Sequence, residues 1–178
     1  MKPYATVFFL LFCTGFGLSQ EKAKGPVIRG FGEVWDIPHP TYRTDTSGIF
    51  RAVFDVMNSP EDPNQLNPWI ETAARFLNMH ARAGVPVDQL QVALVVHNKA
   101  STDLLDSNHY QERFGVPNPN EGLLRELMDA GVRVLFCGQS SMARQVPIEK
   151  TVDGVQLSLS AVTALIQLQE SGYHLIKF

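Results

Sequence analysis

The sequence is poor in cysteine and carries little net charge. Its 178 residues include two cysteines, which excludes a small fold held together by several disulfide bonds. The chain has 15 basic and 18 acidic residues, a net charge of -3. It therefore lacks the excess of basic residues that is typical of proteins that bind nucleic acids or anionic membranes. Hydrophobic residues make up 44% and charged residues 19%, which excludes a disordered chain. These figures predict one packed domain, or at most two small ones.

Several chemical motifs are also absent. No apolar run reaches the roughly 20 residues that cross a bilayer. No Gly-x-Ser-x-Gly elbow occurs, and Gly30-Phe31-Gly32 opens no strand–helix unit, which excludes a serine nucleophile elbow and a phosphate-binding loop. Asp103 and Asp106 lack a second carboxylate cluster, so glycosidase chemistry is disfavoured. We predict no cofactor, and no metal site because the scattered histidines lack ligand spacing; they are His39, His80, His109 and His174.

The N-terminus has the features of a secretory signal over residues 1–19. Lys2 supplies a positive charge, an apolar run follows, and small residues precede the expected cleavage before Gln20. Acylation of Cys13 is disfavoured because the bulky Phe12 stands where a lipoprotein signal has a small residue. We therefore expect an exported protein, periplasmic in a Gram-negative bacterium or otherwise secreted, with no membrane attachment after cleavage.

Export would leave Cys137 as the single cysteine of the mature chain. One thiol cannot form an internal disulfide, so its presence in an oxidising compartment needs an explanation. Two explanations stay open at this point. Cys137 is either a buried small hydrophobic residue without chemistry or a reactive thiol.

The remaining chain predicts an extended arm over residues 20–47 and an α/β domain over residues 48–178. The arm is rich in glycine and proline without a sustained hydrophobic period. In the domain, short apolar strands alternate with amphipathic helices, which predicts a mostly parallel central sheet flanked by helices. The predicted strands are 50–56, 92–96, 132–137 and 173–178; the predicted helices start at Asn67-Pro68, Asn118-Pro119 and Ser160.

Three local patterns add detail to the helices and loops. Asn118 with Glu121 is close to a capping box at the start of the second helix. Residues 146–156 contain a proline and Asp-Gly, which favours a loop or a short hairpin. The third helix is expected to direct a set of apolar residues to the core: Ala161, Val162, Leu165, Ile166 and Leu168.

Chemically capable residues follow two of the predicted strands. His97-Asn98-Lys99 comes directly after one strand, and Cys137-Gly138-Gln139-Ser140 ends the next, with Arg144 shortly beyond. Ligands of open α/β sheets bind beyond the carboxyl ends of the strands, so neighbouring strands would bring these residues to one crevice.

The position of Cys137 also favours a thiolate. A thiol at the start of a helix or tight turn faces free backbone N–H groups, which lower its pKa. Gly138 permits close backbone approach, Gln139 and Ser140 offer hydrogen bonds, and Arg144 could add positive charge. We therefore consider Cys137 the candidate catalytic residue. The candidate substrate-binding residues are Gly138, Gln139, Ser140, His97, Asn98, Lys99 and Arg144.

The residues around Cys137 form a recognisable pattern. Residues 132–140 read Val-Arg-Val-Leu-Phe-Cys-Gly-Gln-Ser, Arg144 follows, and residues 157–165 read Leu-Ser-Leu-Ser-Ala-Val-Thr-Ala-Leu. The pattern resembles the DsrE/DsrF-like family, specifically an exported branch with a Cys-Gly-Gln-Ser turn. The likeness runs from about residue 48 to residue 178, including the strand end at His97.

The resemblance implies a YchN-like α/β fold that assembles as a trimer or hexamer. It also implies that Cys137 carries a persulfide and passes sulfur between a donor and an acceptor protein. Two features depart from the sulfur-relay members: the export signal, and Gln145 where those members tend to have glycine.

The leading hypothesis is an exported sulfur carrier that uses the Cys137 thiolate and has no turnover on its own. One alternative is a non-catalytic oligomeric module that binds a small ligand or a protein, with Cys137 only packing. Another is a redox sensor that forms an intermolecular disulfide through Cys137.

Overall fold

The computed structural model describes residues 21–177, which contain five strands and five helices, with two of the helices between the second and third strands. The predicted signal sequence, with Cys13, lies outside the described residues. The strands are β1 (Phe50–Val56), β2 (Leu90–Val96), β3 (Arg133–Cys137), β4 (Gln156–Ser158) and β5 (His174–Ile176). The helices are α1 (Pro68–Arg82), α2 (Ser107–Phe114), α3 (Glu121–Asp129), α4 (Gly138–Arg144) and α5 (Ala161–Glu170). Short 3₁₀ turns span Val87–Gln89, Asn98–Leu104 and Ile148–Lys150.

The strands form one sheet in the order β4-β3-β2-β1-β5. Every pairing between them is parallel, which confirms the predicted α/β fold with a mostly parallel sheet. The apolar β2 is the middle strand, as expected for a strand covered on both faces. Because all five strands run in one direction, the segments that leave β1, β2 and β3 emerge at a single edge of the sheet.

The two faces of the sheet have cores of unequal size. Helices α1 and α3 cover the face reached by Phe54, Leu94 and Phe136, where the larger core lies. The other face is covered mainly by α5 and has a smaller core, which includes Val95 and Cys137. Cys137 is therefore placed under a single helix.

Helix α1 begins as its sequence predicts. The side-chain oxygen of Asn67 accepts hydrogen bonds from the N–H groups of Trp69, at 2.9 Å, and Ile70, at 3.3 Å. Pro68 takes the first helical position, where no N–H is required. The core-facing stripe of Ile70, Ala73, Ala74 and Leu77 is buried.

The predicted capping box at α3 is wrong. The helix begins at Glu121 after Asn120, which makes no side-chain cap bond. The Asn118 amide instead donates to the carbonyls of Asp103 and Leu105, and the Glu121 carboxylate accepts from the N–H of Ser107. The Asn118 side-chain oxygen accepts from the Asn120 N–H at 2.8 Å, so Asn118 holds the turn that precedes α3 instead of capping the helix.

The structure contains two elements that the sequence did not predict, helix α2 and strand β4. Helix α2 has one buried residue, Tyr110, so its sequence has little hydrophobic period. Its boundary signals are present: Asp106 caps it through the N–H of His109, and Gly115 ends it in the left-handed region. Of the two alternatives predicted for residues 146–156, the structure has the loop and not the hairpin, because β4 follows it and pairs in parallel with β3.

Helix α5 meets the sheet through smaller residues than predicted. Ser160 caps it, as expected, by accepting a hydrogen bond from the N–H of Thr163 at 3.0 Å. Ala161 and Leu168 are buried as predicted, together with Ala164, whereas Val162 and Ile166 are exposed. The alanines let the helix approach the sheet closely and turn Val162 and Ile166 towards the surface.

The first half of the N-terminal arm is docked on α1. Ala23 and Val34 form an antiparallel bridge, and Ile28 is buried in the larger core. The fully buried Asn78 holds this loop: its amide oxygen accepts from the Ile28 N–H at 2.8 Å. Its amide nitrogen donates to the carbonyls of Ile28, Phe31 and Gly32. Asn78 thus makes the buried hydrogen bonds that fasten the arm, and Glu71 and Arg82 of α1 add further bonds to its backbone.

We expect Asn78→Ala to loosen the arm and to lower the free energy of unfolding by about 4 kcal/mol, at roughly 1 kcal/mol for each of the four hydrogen bonds lost. Urea denaturation measures this change, and limited proteolysis should show faster cleavage within residues 21–37. Asn108→Ala, on the exposed side of α2, is the control and should change neither result. Equal proteolysis of the Asn78 variant and the wild type would contradict this role.

Candidate functional site

The carboxyl edge of the sheet brings the two predicted segments together. Val96 pairs with Phe136, so His97 and Cys137 follow at the same level on neighbouring strands. The N–H of Asn98 donates to the Ser140 hydroxyl at 3.0 Å and joins the two segments directly.

Cys137 ends β3, is followed immediately by α4, and is 4% exposed. Its side chain faces the smaller core beneath the first turn of α5, beside Ala161. The sulfur therefore lies between the starts of two helices, where several N–H groups have no partner within their own helix.

Burial and hydrogen bonding act in opposite directions on the Cys137 thiol. Burial is the largest influence and disfavours the charged thiolate. Hydrogen bonds to the sulfur from the Ser140 hydroxyl and from the N–H groups of Ser140, Ala161 and Gln139 oppose it. Together these donors outweigh burial, so the pKa of Cys137 is lowered from its ordinary value. The site therefore favours the thiolate more than an ordinary thiol environment does.

Ser140 connects the thiol to the loop after β2. Its hydroxyl accepts from the Asn98 N–H at 3.0 Å and, as a donor to the sulfur, lowers the pKa of Cys137. Asn98 has φ of +55°, in the left-handed region, which asparagine tolerates better than most residues. Arg144 donates to the Asn98 side-chain oxygen. Arg144 therefore holds the Asn98 loop, a positioning role instead of the predicted direct charge at the thiol.

Gly138 is required by a close backbone approach. A Cβ at this position would stand 2.7 Å from the carbonyl oxygen of Ser158 and 3.2 Å from that of Leu159. Gln139 donates through its amide to the Leu159 carbonyl at 3.3 Å. These contacts hold α4 against the segment that leads into α5, and so fix the N–H groups around the sulfur.

Gln145, which departs from the relay pattern, ends α4 in a conformation that favours glycine. Its φ is +54°, in the left-handed region. A glycine there would relieve steric strain in the same backbone. Glutamine here adopts the left-handed conformation that a glycine would favour.

His97 lies on the same face of the sheet as Cys137, in contact with a polar side chain of the neighbouring strand β1. Its Nε2 lies 2.7 Å from a carboxylate oxygen of Asp55 on β1, and the other oxygen lies 3.4 Å from Nζ of Lys177. By strand alternation Asp55, His97 and Cys137 share the α5 face of the sheet. The ring of His97 is thus oriented by Asp55, one strand further from the sulfur. Sequence reasoning missed Asp55 and Lys177, although an aspartate within a buried strand was a visible signal.

Lys99 is not part of this site. It lines a separate cavity of about 280 Å³ together with Arg113 and Arg144. The 3₁₀ turn that starts at Asn98 carries Lys99 away from the thiol. Of the predicted residues, the structure brings Gly138, Gln139 and Ser140 to the sulfur, with His97 and Asn98 beside it.

A buried polar network supports the same edge of the sheet. Asp103 is almost fully buried, and its carboxylate accepts from the Asn67 amide at 2.6 Å and from the Ser59 hydroxyl at 2.8 Å. Burial raises the pKa of Asp103 to about 6, against the lowering effect of these two bonds. The backbone N–H of Asn67 donates to the side-chain oxygen of Asn120 at 2.7 Å. Asp103 thus joins the loop after β1 to the turn after β2 and has a structural role.

The described residues contain no group of three or more histidine, cysteine, aspartate or glutamate side chains placed to hold a metal ion. None of the described helices is both long enough and apolar enough to cross a membrane.

The fold and site define an α/β protein with a parallel sheet and a thiol held at its carboxyl edge. The family model of the DsrE/DsrF-like family matches residues 51–178, so the chain belongs to that family. This is a family associated with sulfur relay. The result confirms the family named from the Cys-Gly-Gln-Ser pattern.

Two solved structures have similar folds. MTH1491 from Methanobacterium thermoautotrophicum, a protein of unknown function, is 18% identical with a TM-score of 0.55. The ychN protein from E. coli is 19% identical with a TM-score of 0.53. Each alignment covers 72% of this chain and 99% of the other chain. At these identities the likeness establishes the YchN-like fold. A search of curated proteins found no match.

We expect Ser140→Ala to raise the pKa of Cys137, because the variant loses a hydrogen bond that stabilises the thiolate. Alkylation by iodoacetamide, followed against pH, should have its midpoint at higher pH than in the wild type and a slower rate at pH 7.

Ser141→Ala is the matched control for this variant. Its hydroxyl donates to the Val146 carbonyl at 2.8 Å, so its loss can lower stability without moving the alkylation midpoint. An unchanged midpoint in folded Ser140→Ala would show that the hydroxyl does not stabilise the thiolate.

Proposed function

We propose that the protein is an exported sulfur carrier whose Cys137 holds sulfane sulfur as a persulfide. The observation that carries this proposal is the set of donors around the Cys137 sulfur, which favours its anion despite burial. A thiolate is the form that attacks sulfur. Membership of the DsrE/DsrF-like family supports the same chemistry.

The transfer balances without an external oxidant. The Cys137 thiolate attacks the terminal sulfur of a persulfide or polysulfide donor, forming one S–S bond while the donor's S–S bond breaks. A persulfide donor leaves as a thiolate, a polysulfide donor leaves as a polysulfide one sulfur atom shorter, and Cys137 becomes a persulfide. An acceptor thiolate then attacks the terminal sulfur and releases Cys137 again as a thiolate. The N–H groups of Gln139, Ser140 and Ala161 would stabilise the sulfur anion at the start and the end of this exchange.

The other residues near the thiol have supporting roles in the proposal. Gly138 allows the close approach of the two backbone segments, and Asn98 with Arg144 positions Ser140. His97, oriented by Asp55, is the nearby group that can accept or supply a proton.

The cysteine content of the chain favours a carrier over an internal redox couple. After removal of residues 1–19, Cys137 would have no second cysteine to form a disulfide and expel the bound sulfur. The persulfide would therefore persist until an acceptor protein arrives. Donor and acceptor proteins are both part of the proposal, as is export to the periplasm or the extracellular space.

We also propose that the protein is a homo-oligomer, a trimer or a hexamer. Large apolar side chains are exposed around the thiol on α4, β4 and α5, and contact between copies would cover them. These exposed residues are Met142, Leu157, Leu159, Val162 and Ile166.

We expect the mature protein to gain about 32 Da, or multiples of it, after brief exposure to polysulfide. The added sulfur should be absent from Cys137→Ser and should be removed by a reductant. Intact-mass spectrometry of folded samples measures it. An unmodified mass in folded wild type would contradict the carrier function and favour a packing role for Cys137.

The oligomer is tested by light scattering of the mature protein after size exclusion. The wild type should have the mass of three or six chains, and Ile166→Glu should shift it to smaller species. Val87→Glu replaces an equally exposed apolar residue away from α5 and should keep the wild-type mass. A monomeric wild type at micromolar concentration would overturn the proposal.

A further inference from the structure

A second concave site lies between the N-terminal arm and α1, away from the thiol. It is a groove of about 660 Å³ with two tryptophans in its wall, Trp35 from the arm and Trp69 from α1. Phe54 and Phe76 also line it and pack edge to face, with ring centroids 5.8 Å apart. The groove is within the size range of small-molecule sites, which are lined mainly by apolar and aromatic side chains.

A polar cavity of about 330 Å³ adjoins one end of the groove. Lys22, Glu33 and Arg75 line both spaces, and Lys24 and Glu71 line only the cavity. Nζ of Lys22 lies 5.5 Å from the ring centroid of Trp35, which places a cation at the junction. An apolar space and a charged space are thus continuous.

The charges of this cavity favour an anion. Three cationic side chains face two carboxylates, and one of these, Glu71, already accepts from the Gly32 N–H at 3.1 Å. Glu71 also lies 3.8 Å from Nη1 of Arg75. The two lysines therefore exceed the one remaining carboxylate, Glu33. A single anionic group next to Lys22 would balance the cavity.

We propose that this groove binds a free amphiphilic small molecule with an apolar body and one anionic head group. The body would lie between Trp35 and Trp69, and the head group would lie beside Lys22. The relevant cations are at one end of the groove only, which fits a molecule with a single charged end.

The groove is independent of the proposed sulfur chemistry. Phe54 belongs to the core on the α1 face of the sheet, whereas Cys137 belongs to the core on the α5 face. One wall is formed by the arm, which precedes residue 51, where the family match begins. Binding in the groove is therefore a property that the arm adds to the family domain.

The tryptophans provide a direct readout. Trp35 and Trp69 are the two tryptophans of the sequence, and both line the groove. Titration of the full mature protein with decanoate, below its micelle concentration, should give a saturable change in tryptophan fluorescence. Decylamine, with the same chain and the opposite charge, should bind at least tenfold more weakly at low salt.

Four variants locate the binding and separate it from the chemistry of the thiol. Ile37→Asp places a carboxylate on an exposed residue of the groove wall and should weaken decanoate binding at least tenfold. Ile49→Asp, at an exposed residue that does not line the groove, should bind as the wild type does. Lys22→Gln should reduce the preference for decanoate over decylamine. Cys137→Ser should leave binding unchanged, which separates this result from the sulfur-carrier test.

Three results would overturn the proposal. The first is the absence of a saturable signal with decanoate in folded wild type. The second is binding that Ile37→Asp does not weaken or that decylamine matches. The third is a dimer that Ile37→Asp dissociates, because the groove would then be covered by a second copy of the chain.

Discussion

The Ser140 hydroxyl is the interaction on which the candidate site depends. It bonds the Cys137 sulfur and accepts from the Asn98 N–H, and so it joins the loops that leave two neighbouring strands. Burial alone would keep Cys137 neutral, as in a core thiol. Hydrogen-bond donors make the difference between a packing cysteine and a nucleophile, and they come from both helices that start beside the sulfur.

The parallel sheet explains why these donors converge. Strands that run in one direction have their following loops at the same edge of the sheet. The order β3-β2-β1 therefore places Cys137, His97 and Asp55 side by side at the carboxyl ends of three neighbouring strands. The backbone contact at Gly138 then brings α4 against the start of α5, whose first N–H reaches the sulfur. The larger core on the opposite face supports this edge without taking part in its chemistry.

Much of this fold could be predicted from short-range signals. The Asn67-Pro68 start of α1, the apolar β2 and the glycine after α3 each follow from local backbone chemistry, and alternating strands and helices then imply a parallel sheet. Cys137 was identifiable because it ends a strand and precedes glycine. The contribution of the Ala161 N–H and the Asp55–His97 pair could not be identified from the sequence, because each depends on residues of separate elements that meet only in the folded sheet. Helix α2 was missed because only Tyr110 is buried, and Val162 and Ile166 were misplaced because Ala164 sets the contact of α5.

The arm shows how an addition before the family domain can create a second site, since Asn78 fastens it beside the two tryptophans. The central claim, however, concerns the state of the Cys137 thiol. The most direct measurement is the ultraviolet absorbance of the thiolate during a pH titration of the folded protein and of the same chain in denaturant. The hydrogen bonds to sulfur predict a lower midpoint in the folded protein. A folded midpoint equal to or above the denatured one would mean that burial prevails and that Cys137 is a packing residue.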